Sequence, residues 1–94
     1  MTRMRKLNDM FHIDGDRLIK TSNGEPVPED EPLFIFRGRD ELARRVIWEY
    51  LNMLRKEQCD RDRIIAVDQA MMRFCQFAMD HPERMKQPGI TKGR

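Results

Sequence analysis

Two arginines, a glycine and an aspartate in succession, Arg37-Gly38-Arg39-Asp40, are the residues of this chain best suited to chemistry. They sit where an apolar run, Leu33-Phe34-Ile35-Phe36, gives way to a helical pattern beginning at Glu41. A strand-to-helix junction of this kind puts guanidinium groups beside the unpaired N–H groups of a helix start, a geometry that holds phosphate or carboxylate. Gly38 lets a ligand or backbone come close. Asp40 reads as the helix N-cap. One turn into the helix, Arg44 and Arg45 flank Trp48 on the polar side of the wheel, with Asn52 and Arg55 beyond. An indole among guanidiniums offers a stacking surface for a base with its phosphate charge neutralised. The same residues are enriched in subunit interfaces, so both uses stand open for Trp48. Arg37 and Arg39 have an alternative use too, pairing with the acids that precede them or with Asp60 and Asp62. The expected ligand set is Arg37, Gly38, Arg39, Asp40, Arg44 and Trp48, taking a phosphorylated small molecule such as a nucleotide.

Other chemistry is hard to assemble. His12, His81, Cys59 and Cys75 lack zinc spacing, and Asp14-Gly15-Asp16 lacks the ligand series of a calcium loop. No Gly-rich phosphate loop or nucleophile elbow is present. Asp68 falls inside the apolar arc of the second helix, where a carboxylate needs a cationic partner, and Arg37 is the candidate. As a general base it would stand without a visible His, Ser or second carboxylate. The expectation is a protein without catalytic residues, metal or cofactor.

The elements that position these residues follow from turn chemistry and periodicity. Phe11–Ile13 and Arg17–Lys20 flank Asp14-Gly15-Asp16, a hairpin signal, and Ser22-Asn23-Gly24 makes a second turn. Pro26, Pro28 and Pro32 punctuate an acidic connection. Leu33–Arg37, without alternation, predicts a third strand covered on both faces. Leu42, Val46, Ile47, Tyr50, Leu51 and Leu54 share half a helical wheel, predicting a helix over 41–56. A second helix starts at Asp60 or Asp62 and stops at Asp80 before Pro82. It is apolar nearly all round, with Gln69, Arg73, Gln76 and Asp80 as its solvent strip, and such a helix needs several covers, a partner subunit among them. The fold class is therefore α+β: a small antiparallel β-meander followed by a two-helix hairpin, homo-oligomeric. A basic flexible arm over 1–10 precedes a single domain over 11–82, and a basic disordered tail covers 83–94.

The chain has 94 residues, 39% hydrophobic and 36% charged, with a formal net charge of +2. That charge is too small to argue for nucleic acid, although the arm, first helix and tail together leave nucleic-acid binding as a weaker alternative. Charge is unevenly spread: residues 21–36 carry only acids (Glu25, Glu29, Asp30 and Glu31), whereas 37–56 carry six bases against three acids. No run is long enough to cross a membrane, and two cysteines without an apolar leader suggest reduced thiols in a cytoplasmic protein.

The run Glu25-Pro26-Val27-Pro28-Glu29-Asp30-Glu31-Pro32-Leu33-Phe34-Ile35-Phe36-Arg37-Gly38-Arg39-Asp40, with Ile47 and Tyr50 downstream, resembles short phage- and prophage-encoded proteins that form no named family. The likeness covers about residues 17–56. It implies an anti-defence role in the host cytoplasm, exerted by gripping a host protein or by sequestering a nucleotide signal in a homo-oligomeric pocket. A ligand-sequestering protein is the first expectation; a protein-interaction module or inhibitor of a host protein is the alternative.

Overall fold

Turn chemistry shapes the N-terminal part of the computed structural model, which describes residues 4–87. Strands β1 (Met4–Lys6), β2 (Phe11–Asp14) and β3 (Arg17–Lys20) form an antiparallel sheet in the order β1-β2-β3. Asp14 pairs with Arg17 across a two-residue loop, and Gly15 at its first position takes φ 64, a left-handed conformation that costs glycine little. Beyond β3, Asn23 Oδ1 accepts from the Glu25 N–H (3.0 Å) and Gly24 has φ 73, so the chain reverses. Residues 25–27 then run back along β3: Lys20 N–H donates to the Glu25 carbonyl (2.8 Å), and Val27 N–H donates to the Leu18 carbonyl (2.9 Å). Pro26 pairs with Ile19 in this stretch, a sheet-edge position that suits a residue without an N–H.

The meander is as expected in kind, but its third strand is a different one. β1 lies within the stretch read as a flexible arm. Asn8 makes the strand possible: its side-chain oxygen accepts from the N–H groups of Met10 (2.8 Å) and Phe11 (3.0 Å), closing a turn that returns the chain to β2. Lys6 and Asp9 add an exposed ion pair at 3.0 Å. Conversely, Leu33–Arg37 forms no strand among the described residues, and Leu33 and Ile35 are exposed. A short apolar run without alternation is the pattern that periodicity reads least well.

The chain divides into two compact units, Met1–Phe34 and Ile35–Arg94, where the sequence suggests one domain over 11–82. In the second unit, α1 (Ala43–Lys56) and α2 (Arg61–Asp80) pack as a hairpin. Leu51, Leu54 and Val67 form its buried cluster, with Ile47, Ile64 and Met71 packed around it. α1 ends in a Schellman arrangement: Cys59 N–H donates to the Leu54 carbonyl (2.9 Å) and Gln58 N–H to the Arg55 carbonyl (3.1 Å). Gln58 holds the left-handed position at φ 54, which glycine more often fills. Asp60 caps α2, its side chain accepting from the Arg63 N–H at 3.3 Å.

α2 departs from expectation on its outer side. Gln69, Arg73, Gln76 and Asp80 are exposed as read, but Ile65, Met72 and Met79 are exposed with them, by 42%, 62% and 75%. Residues 83–87, read from sequence as part of the basic disordered tail, take part in regular backbone pairing. Pro82–Arg84 form a 3₁₀ turn, and Lys86 pairs by its backbone with the segment before α1. Residues 88–94 and 1–3, the rest of the expected tail and arm, lie outside the described residues. Among the described residues no helix is long and apolar enough to cross a membrane.

Candidate functional site

Four N–H groups at the helix start expected to cradle a phosphate are engaged by the chain itself. Asp40 N–H donates to the Arg37 carbonyl (3.0 Å), Glu41 N–H to the Lys86 carbonyl (2.8 Å) and Ala43 N–H to the Asp40 carbonyl (3.2 Å). Leu42 N–H donates to Asp40 Oδ1 at 2.8 Å. Asp40 is therefore not the N-cap: it closes an Asx turn two residues earlier, and the N-cap position falls on Leu42, which has no side-chain cap. Lys86 N–H completes the arrangement by donating to the Arg39 carbonyl (2.7 Å).

Gly38 is not a bare landing place either. A Cβ built there would stand 3.5 Å from the Phe77 ring, so an aromatic side chain from α2 already occupies the close approach. The same ring packs against His81 (centroids 5.0 Å apart), with the Arg84 guanidinium 4.8 Å above it. Arg37 and Arg39 are exposed, and neither forms an ion pair among the described residues. Asp68 is half-exposed rather than buried, and its partner is Arg55 of α1 at 3.8 Å, not Arg37.

Arg44 and Trp48 come together elsewhere. They line a cleft of about 500 Å³ together with Glu41, Leu42, Arg45, Glu49, Met71, Cys75 and Gln87. Spacing on α1 explains the first wall: Arg44 and Arg45 lie four and three residues before Trp48, hence on neighbouring turns, and Glu49 lies four after Arg45. Met71 and Cys75, also four apart, supply the second wall from α2. Trp48 is 47% exposed. Arg44 is steadied by Glu41 through a 3.1 Å bond from Nη2 to Oε2, while its buried Nε donates to no acceptor among the described residues. Arg45 and Glu49 are exposed, and neither enters an ion pair among the described residues.

Of the six residues singled out from sequence, the cleft thus includes Arg44 and Trp48; Arg37, Gly38, Arg39 and Asp40 are not part of its lining. Glu41, Leu42 and Arg45 were read as part of the helix but not placed in that set, and Glu49, Met71, Cys75 and Gln87 were not singled out as site residues. The helical wheel of α1 contained the signal for Glu49, whereas the other three depend on how the hairpin and the following turn pack. No group of three or more His, Cys, Asp or Glu suited to a metal occurs among the described residues, and both cysteines are free thiols. No protein-family model matches the chain, and neither the curated proteins nor the solved structures contain a significant match.

Proposed function

We propose that this chain is a non-enzymatic protein-interaction module that works as a homo-oligomer, with the outer face of α2 as its contact surface. The observation that carries this reading is the exposed row Ile65, Met72 and Met79. The three are seven residues apart, so two helical turns bring each back to nearly the same side, giving one apolar row of the two that a coiled-coil seam has. Gln69 and Gln76 border the row without adding charge to its middle.

A second copy is the favoured occupant because the hairpin is short of core. Its buried cluster consists of Leu51, Leu54 and Val67. Two paired helices close poorly by themselves, and four close well. In an antiparallel two-fold pair, Ile65 would face Met79 of the other copy and Met72 would face its own counterpart, a self-complementary register. The resemblance to phage-encoded proteins would direct the assembled module at a host protein in the host cytoplasm.

The test is mass measurement in solution by light scattering and native mass spectrometry. The expected result is an oligomer for the natural chain and a monomer for Met72→Glu that keeps helical circular dichroism at low temperature but melts earlier, because the hairpin has lost the cover of its partner. A natural chain that remains monomeric at micromolar concentration rejects the proposal.

A further inference from the structure

The geometry points to the α1–α2 cleft as a binding site for a mononucleotide-like ligand, a planar heteroaromatic ring joined to an anionic group. This inference stands apart from oligomerisation through α2. The volume, about 500 Å³, lies within the range of about 300–1,000 Å³ typical of small-molecule sites. The lining divides by chemistry. Trp48 presents a half-exposed indole, and Leu42 and Met71 supply apolar surface, which together suit a flat ring. Arg44 is committed to Glu41, so this pair cancels its own charge. Arg45 is left as the uncommitted cation, and a guanidinium takes a phosphate through two parallel hydrogen bonds. Glu49, also uncommitted, is an acceptor for an exocyclic amine or a sugar hydroxyl.

Arg37 and Arg39 are also without ion pairs among the described residues, so what sets the cleft apart from the Arg37–Asp40 junction is its concave lining with an indole and apolar side chains beside the cation. At that junction the N–H groups of Asp40, Glu41, Leu42 and Ala43 are engaged within the chain, and the Phe77 ring lies against Gly38. In the cleft Arg45 and Glu49, neither in an ion pair among the described residues, stand one helical turn apart next to an aromatic face, and the Arg44 Nε beside them donates to no acceptor among those residues.

Trp48 is the chain's one tryptophan, so its fluorescence reports on this site alone. Adenosine monophosphate and guanosine monophosphate are titrated against the full chain, with adenosine and ribose 5-phosphate as half-ligands. The expected result is saturable quenching by at least one mononucleotide, with both half-ligands weaker by about tenfold or more, as loss of a charged hydrogen bond or a stacked ring entails. Arg45→Ala, an exposed change checked by circular dichroism, should weaken the mononucleotide by a similar factor and leave adenosine unaffected. Absence of saturable quenching by either mononucleotide overturns the inference. So does equal binding of adenosine, or an Arg45→Ala titration that matches the natural chain.

Discussion

Gln58 and Gly38 illustrate how single positions can carry opposite conformational demands. Gln58 sits at φ 54 in the turn that ends α1, where a side chain crowds the backbone. Gln58→Gly should therefore raise stability by about 0.5–1 kcal/mol, the relief at the helix end outweighing the extra freedom of the unfolded chain. Urea denaturation would show a higher midpoint at unchanged slope, and a lower midpoint would contradict the reading. Gly38 has no such requirement. An added Cβ would meet the Phe77 ring at an ordinary 3.5 Å, so Gly38→Ala should be neutral to stabilising by up to about 1 kcal/mol. If instead it loses more than that on thermal melting, the packing described around Phe77 is wrong. From sequence, Gly38 suggested room for a ligand, because a glycine between two arginines says nothing of an aromatic ring arriving from a helix some forty residues later.

Among the elements, α2 depends on its cap. Asp60→Ala removes the acceptor for the Arg63 N–H and should cost about 0.5–2 kcal/mol, measured by denaturant unfolding; no measurable loss would mean that the cap bond is not made in solution. That cap was legible in sequence, as were both helices, the β2–β3 hairpin and the Ser22–Gly24 reversal, because each is written in local signals of capping, periodicity or turn chemistry. β1 was missed for the converse reason. Its pairing rests on Asn8 accepting two backbone donors, a device of one residue inside a basic, methionine-rich stretch that has no alternation. Leu33–Arg37 misled because an apolar run alone cannot distinguish a strand from an irregular segment. The cleft was half legible: the Arg44–Trp48 wall follows from one helical wheel, and the Met71–Cys75 wall follows only from the way two wheels meet.

At the scale of the whole chain, stability rests on few residues. Leu51 is fully buried at the centre of the helical unit, and Leu51→Ala should cost about 2–5 kcal/mol, a large share of what a domain of this size has to lose. Circular dichroism melting should show a strongly lowered midpoint or no cooperative transition; a shift of only a few degrees would place the core elsewhere. The two units also differ in how far along the chain their bonds reach. In the N-terminal unit the sheet and the return along β3 join residues between Met4 and Val27. In the helical unit Lys86 donates to the Arg39 carbonyl and accepts from Glu41, so two backbone bonds join the segment before α1 to the segment after α2. Synthesis runs from the N-terminus, and domains fold as their last necessary residue appears. The sheet can therefore settle while most of the helical unit is still being made. The segment before α1 gains its last two backbone partners only when Lys86 has been made, and until then the Glu41 N–H and the Arg39 carbonyl are open to water or to a neighbouring nascent chain.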